Sequence, residues 1–377
     1  MRAPAAPAAP VRIGVVGAGT IAGLHLAAYA RNPDVVIAGI CDIDGDRAAA
    51  RAAEQGATLV STDFRSFVAD PGIDAVSVCT RNDTHAQVAI AALEAGKSVL
   101  LEKPMAVTVA EAEAIVAAEA ASAGSVQVGY VRRHSSNAVT LKRFVDAGDL
   151  GPLYYAKAVF LRQAGDPGGW FSNRSVSGGG PLIDLGVHFL DMALWLMDFP
   201  EPVAVTGYTF SRLGSRTNLR GLTRYLSADQ TPSDDPVEDL AGAVVRFASG
   251  AVLAIETSYS LHGRDSQSFE VFGEKGGATL EPALRITTEL HDTAVEITPN
   301  IDALSFDLEE GFQVEIDTFV RMVRGEVAPV APAAHGLHLT RILEAVYASA
   351  ASGREVRLDR DAAAPEEPRT TPTEVAA

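Results

Sequence analysis

Between residues 11 and 126, short continuous apolar runs alternate with longer stretches whose apolar positions recur every three to four residues. That alternation predicts strand then helix, repeated. "VRIGVVG" ends in glycine and runs into the helical pattern "TIAGLHLAAYARN". "VVIAGICD" is followed by "GDRAAARAAEQG", which Asp44 can cap. "IDAVSVCT" precedes "THAQVAIAALEAG". "KSVLLEKP" precedes "VAEAEAIVAAEAASAG", for which Thr108 and Glu111 form a capping box. The strands are apolar throughout, as expected where helices cover both faces of a parallel sheet. Residues 11–126 therefore read as a doubly wound α/β domain.

From residue 127 the chain reads as a second unit, to about 358, and its pattern changes clearly near 150. "LYYAKAVFLRQ", "VAVTGYTFSRL", "GAVVRFASGAVLAIETSYS" and "SFEVFGEKGGATL" are strand-like and partly alternate. Such strands predict a large, mostly antiparallel sheet with helices on one face and the other face open. Ser249-Gly250 and Gly276-Gly277 are expected as hairpin turns. "GGGPLIDLGVHFLDMALWLMDFP" (178–200) reads as a helix opened by a glycine run and Pro181. "FQVEIDTFVRMVRG" and "LHLTRILEAVYASAASG" are two more helices. Residues 214–238 are polar and read as a long loop. The fold class is thus α/β followed by α+β.

Composition narrows the partners. The formal net charge is −17, with no basic run, which argues against nucleic acid and anionic membrane surfaces. No apolar run reaches the roughly 20 residues of a membrane span. The Ala/Pro-rich start (1–10) and the acidic, proline-rich end (359–377) are expected to be disordered. Cys41 and Cys79 end apolar strands and read as two buried thiols, which suits a cytoplasmic location and no metal site.

Three features carry chemistry. In "GVVGAGTIA", Gly14, Gly17 and Gly19 are followed by Ala22. Gly17 permits a tight turn, Gly19 lets backbone approach a pyrophosphate, and Ala22 allows close helix–sheet packing. The helix beginning at Thr20 and Ile21 aims its first amides at the phosphates. Asp42, with Ile43 beside it, ends the second strand, where an acid can accept the ribose hydroxyls of NAD and repel the 2′-phosphate of NADP. Arg47 nearby leaves some tolerance for NADP.

Glu102-Lys103-Pro104 follows the strand "KSVLL", so Lys103 is delivered to the crevice beyond the strand ends where ligands bind. Pro104 favours an extended Lys103. Asp184 and His188 stand four residues apart and are expected on one helix face, continued by Asp191 and Trp195. An aspartate one turn from a histidine would hold its tautomer and raise its pKa, a suitable arrangement for acid–base chemistry. Gly186 between them is expected to leave room for a ligand or a backbone.

Together these residues resemble the glucose–fructose oxidoreductase/inositol dehydrogenase/rhizopine catabolism (Gfo/Idh/MocA) family over roughly residues 11–357. The resemblance rests on "GAGTIA", Asp42, "CTRNDTH", "EKP", "GYVRRH", "GGGPLIDLGVHFLD" and "GLHLTRILEAVYASAASGREV". It implies a Rossmann domain that binds NAD and a catalytic group of Lys103, Asp184 and His188. It places Thr80, Asn82 and His85 along the cofactor and Glu102 near the nicotinamide ribose. Arg132, Asp191 and Tyr259 match substrate positions more loosely. Arg81 stands where a proline is common. Homodimers or homotetramers built through the open sheet are implied as well.

The segment "RQAGDPGGWFSNRS" (162–175) adds Arg162, Trp170, Asn173 and Arg174 as candidate contacts for a polyol, and reads as a mobile flap. The expected activity is NAD-dependent oxidation of a secondary hydroxyl of a sugar, glycoside or inositol. His188 would take the proton, Lys103 would steady the oxygen and Asp184 would orient His188. An NAD-dependent glycosidase or lyase working through transient oxidation, and a non-catalytic NAD-binding regulator, are the alternatives.

Overall fold

The computed structural model describes residues 9–214, 216, 218–222 and 233–358. The proposed lead-in (apart from Ala9 and Pro10), the tail from 359, and residues 215, 217 and 223–232 of the expected loop lie outside them.

The first sheet has six parallel strands. They are β1 (Val11–Val16), β2 (Val35–Cys41), β3 (Leu59–Ser61), β4 (Ala75–Val78), β5 (Ser98–Leu101) and β6 (Val126–Val128). Their order is β3-β2-β1-β4-β5-β6. Helices α1 (Thr20–Arg31), α2 (Gly45–Gln55), α3 (Phe64–Val68), α4 (His85–Glu94) and α5 (Val109–Ala121) connect them. The order reverses between β1 and β4, which opens a crevice beyond their carboxyl ends. The Thr108–Glu111 capping box is present. Patterning missed β3, which spans three residues and carries too little sequence for periodicity to register.

The second sheet has nine strands. They are β7 (Leu153–Leu161), β8 (Pro202–Phe210), β9 (Leu240–Phe247), β10 (Val252–Ser258), β11 (Ser266–Gly273), β12 (Gly276–Glu281), β13 (Arg285–Leu290), β14 (Thr293–Ile297) and β15 (Val356–Arg357). They order as β14-β13-β12-β11-β7-β10-β9-β8-β15. Only β7 and β10 pair in parallel. Gly250, at φ +86°, turns the β9–β10 hairpin as expected. Gly276 and Gly277 instead begin β12, and the turn falls before them; a Cβ on Gly276 would lie 2.6 Å from the Thr287 carbonyl of β13. The remaining helices are α6 (Ser136–Asp146), α7 (Arg174–Ser177), α8 (Val187–Leu196), α9 (Leu308–Val323) and α10 (Ala333–Ser352). α8 and α10 cover one sheet face. The other face shows Tyr208, Phe210, Val244 and Lys157 to solvent.

The two halves are joined more closely than a cut at 126/127 implies. That cut runs through β6, and the Val128 amide donates to the Ala331 carbonyl at 2.8 Å. Ile316, Phe319 and Val320 of α9 share a core with Ile13, Val15 and Leu26. Arg341 and Glu344 of α10 bond Glu113 and the Val109 amide of α5. Among the described residues, no helix is long and apolar enough to cross a membrane.

Candidate active site

The turn from β1 to α1 is shaped for a close approach. Gly17 has φ +94°, and a Cβ there would sit 2.4 Å from the Cys79 carbonyl. Gly19 faces open space, with nothing within 4 Å of a would-be Cβ. It is the N-cap of α1 and gives that helix no side-chain cap, so the first amides, at Thr20 and Ile21, stay available to an anion. Ala22 is fully buried against the sheet.

Asp42 anchors this turn. One carboxylate oxygen accepts the Ala18 amide at 2.7 Å; the other accepts the Asp44 amide at 2.9 Å and Arg47 at 2.7 Å. Burial works against its charge, but Arg47 and the two amides hold the carboxyl below its usual value. Arg47 is thus tied to Asp42. Ile43 is 88% exposed at the strand mouth. The glycine turn, the uncapped helix and this acid fit a dinucleotide.

The residues expected along the rest of the cofactor divide. Thr80 stands partly exposed at the end of β4. Asn82 is buried, and its amide donates to the Ser177 carbonyl at 2.7 Å, so it ties this loop to α7. His85 is 1% exposed and has carbonyls at both ring nitrogens, Pro104 at 2.7 Å and Thr80 at 3.2 Å. Burial lowers its pKa. The neutral ring has one N–H, which the shorter contact to Pro104 takes. His85 therefore braces the Glu102–Pro104 loop instead of lying open to a ligand. Glu102 is likewise buried: it accepts the Lys103 amide at 3.2 Å and lies 2.8 Å from Nε2 of His25. His25, in the middle of α1, is a partner that apolar patterning gave no reason to seek.

Lys103 meets Asp184 in the cleft between the two sheets. Its Nζ donates to Asp184 Oδ1 at 2.9 Å and to the Asp184 carbonyl at 3.1 Å, with both side chains 16% exposed. Asp184 does not sit in an ordinary α-helix. Leu182–Gly186 is a π-helical turn, closed by the Val187 amide on the Leu182 carbonyl. The widened turn turns Asp184 toward Lys103 instead of His188. Burial works against its charge, but Lys103, with Arg162 further off, holds its carboxyl below the usual value. The Tyr259 hydroxyl lies beside this carboxylate, outside good hydrogen-bond geometry.

The expected Asp184–His188 pair does not form. Among the described residues, Nδ1 of His188 has no hydrogen-bond partner. Burial, then Lys103, Arg132 and Arg162, push its pKa well below the ordinary 6.5, the reverse of the expected rise. Gly186 does not make room for a ligand either. A Cβ there would sit 3.0 Å from the Thr257 methyl, so this glycine lets the π turn pack on β10.

The substrate candidates also divide. Asp191 is 1% exposed and binds Arg133 through both oxygens, at 2.6 and 2.9 Å. It belongs to the core, because a carboxylate at that depth requires its partner. Trp195, further along the same helix, lies by Arg133 and Lys142. Asn173 caps α7 by accepting the Ser175 amide. Arg132 pairs with Glu281 at 2.9 Å and stacks on Phe306, yet acts on His188 electrostatically. Arg162 donates to the Gly165 carbonyl at 3.2 Å and influences both Asp184 and His188. Trp170 stacks on Phe171, and Arg174 lies 3.9 Å from Glu238. Lys103, Asp184, His188, Tyr259, Arg162 and Arg132 form the cleft cluster. Cys41 and Cys79 are free and buried.

A six-stranded parallel sheet with a glycine turn at its switch point, set against a second sheet that supplies a lysine-paired aspartate, defines a nicotinamide-dependent oxidoreductase class. Residues 11–130 match the oxidoreductase family, NAD-binding Rossmann fold, and residues 138–279 match the GFO/IDH/MocA C-terminal domain. The chain belongs to the Gfo/Idh/MocA family. It is 30% identical over 353 residues to D-glucoside 3-dehydrogenase of Escherichia coli (strain K12), covering 93% of this chain and 98% of the relative. It is 27% identical to myo-inositol 2-dehydrogenase of Thermotoga maritima, covering 93% and 99%. A levoglucosan dehydrogenase solved with NADH and L-sorbose superposes with a TM-score of 0.79 at 27% identity, covering 93% and 99%.

Proposed function

We propose that this protein oxidises a secondary hydroxyl of a sugar, glycoside or inositol with NAD, at the cleft that holds Lys103, Asp184 and His188. The observation that carries the reading is the 2.9 Å contact of Lys103 with Asp184, partly buried and beside an unpartnered, neutral histidine. Gly17, Gly19, Thr20, Ile21, Asp42 and Ile43 would hold the adenosine and phosphate end of NAD, with Thr80 further along. The bound cofactor supplies the hydride acceptor.

The chain's own groups handle the alcohol. Lys103 donates a hydrogen bond to the reacting oxygen and steadies the negative charge that develops on it. His188 accepts the hydroxyl proton on its ring nitrogen; burial, and then the surrounding cations, keep it unprotonated beforehand. Asp184 orients Lys103, a change from the role expected from sequence spacing. Tyr259 and Arg162 border the pocket and offer donors to neighbouring hydroxyls. NAD is favoured over NADP because Asp42 is ionised and holds Arg47 in an ion pair.

The relatives are named for D-glucosides, levoglucosan and myo-inositol, and these set the substrate panel. Subunits associate through the open face of the second sheet, and two free buried thiols suit a cytoplasmic location. The test is an NADH absorbance screen against methyl glucosides, levoglucosan and inositols, with NAD and with NADP. NADH formed from at least one polyol is expected. No signal from any of them would overturn the reading.

A further inference from the structure

The glycine run ahead of the π turn has a neighbour that the motif alone does not reveal. Glu238, 1% exposed and just before β9, accepts the Gly180 amide at 3.0 Å and the Tyr347 hydroxyl of α10 at 2.8 Å, both on Oε1. The Gly180 carbonyl in turn accepts the Ile183 and Asp184 amides, each at 3.0 Å. Gly180 therefore links Glu238, through its own N–H and C=O, to the residue that meets Lys103.

The glycines are what make this contact possible. A Cβ on Gly179 would lie 2.0 Å from the Tyr347 hydroxyl oxygen, and one on Gly180 would lie 2.5 Å from the Glu238 carbonyl. Any side chain at either position would displace one end of the clamp. The second carboxylate oxygen, Oε2, is fully buried with no hydrogen-bond partner among the described residues, and Arg174 stands 3.9 Å away. Burial pushes the Glu238 carboxyl up. A buried acid with one oxygen unsatisfied is costly to keep, which points to a purpose for the other oxygen.

We propose that Glu238 and Tyr347 are positioning residues for the Lys103–Asp184 pair, locking the Gly180 peptide so that the π turn presents Asp184 to Lys103. The clamp ties the active-site turn to α10, which also packs on α5 of the first half. The consequences for turnover rest on the dehydrogenase reading above. The position of Lys103 does not.

The experiment compares wild type with Glu238→Ala, Glu238→Gln, Tyr347→Phe and the Glu238→Ala/Tyr347→Phe double variant. The first readout is the rate at which acetic anhydride acylates Lys103 at a fixed pH, measured by mass spectrometry against Lys275, exposed at the turn before β12. Loss of the clamp frees Asp184, so Lys103 should react about fivefold faster in Glu238→Ala. Glu238→Gln keeps an acceptor oxygen and should restore slow labelling. Tyr347→Phe should fall between, and the double variant should match Glu238→Ala. Wild-type labelling in a folded Glu238→Ala protein overturns the proposal. If that variant does not fold, Tyr347→Phe decides alone, and unchanged labelling there overturns it. The second readout is turnover with a polyol from the screen, where kcat should fall about tenfold in Glu238→Ala with the Kd for NAD unchanged. A wild type that turns over nothing refutes the dehydrogenase reading, and the labelling still decides the clamp.

Discussion

Lys103 and Asp184 lie 81 residues apart in the chain and 2.9 Å apart in the fold. One comes from the end of the parallel sheet and the other from a π turn on the second sheet. Their contact joins the two halves at the cleft.

Lys103→Ala should lower kcat by about 10²- to 10³-fold, the magnitude typical of losing a donor to a developing oxyanion. NAD should still bind, because the Gly17–Gly19 turn and Asp42 are untouched. Steady-state kinetics with a fluorescence titration of NAD checks both halves. Near-normal kcat would remove Lys103 from the mechanism.

Asp42→Ala should weaken NAD by about tenfold to a hundredfold, since it deletes the acceptor that binds the Ala18 and Asp44 amides. It also frees Arg47, so the preference for NAD over NADP should shrink. The ratio of kcat/KM for the two cofactors reports this. An unchanged ratio would show that Asp42 does not set cofactor choice.

The acid limb of the kcat–pH profile should lie well below 6.5. Burial and then Lys103, Arg132 and Arg162 depress the pKa of His188, so the ring stays neutral as the pH drops past the ordinary histidine value. Activity should be flat from pH 8 to about 6 on the acid side. A limb centred near 6.5 would contradict this assignment.

His134 should make stability fall with acid. It is 5% exposed, and burial, then Arg133, hold its folded pKa near about 3. The unfolded chain takes up its proton near 6.5 and the folded chain does not. The contribution is therefore present above 6.5 and lost progressively toward about 3, at roughly 1.4 kcal/mol per pH unit. Buried Glu315, whose carboxyl is raised by burial and then by Glu102, works in the opposite sense over part of this range. Glu315 Oε1 lies 3.9 Å from His134 Nε2, so the measurement is the difference between Glu315→Gln and Glu315→Gln/His134→Asn in urea unfolding at pH 7, 6 and 5. Parallel pH curves would refute it.

The association proposed through the open sheet makes Val244→Glu, on the exposed face of β9, a dissociating change. Light scattering after size exclusion would show the mass fall to about 39 kDa. An unchanged mass would move the contact elsewhere.

Much of this protein can be read along the chain. Continuous apolar strands, the Gly17–Gly19 turn, Asp42 and the Lys103–Pro104 dipeptide are local signals, because each is set by backbone geometry within a few residues. Periodicity also marked α8 and β9–β10. Partners far along the chain are what spacing does not show. Asp191 reads as an active-site acid until Arg133 is seen beside it. His85 reads as a cofactor contact until the Pro104 carbonyl takes its proton.

The sequence by itself determined that a parallel α/β half with a dinucleotide turn precedes a mostly antiparallel half, and that a lysine, an aspartate and a histidine are candidates for chemistry. Their pattern follows from local sterics and burial, which the order of residues encodes directly. Only the tertiary structure decided which of them pair. The π turn sends Asp184 to Lys103, burial among cations leaves His188 neutral, and the glycine run accommodates Tyr347 and Glu238. Those outcomes depend on distances across the cleft and on desolvation, and spacing along a single helix carries information about neither.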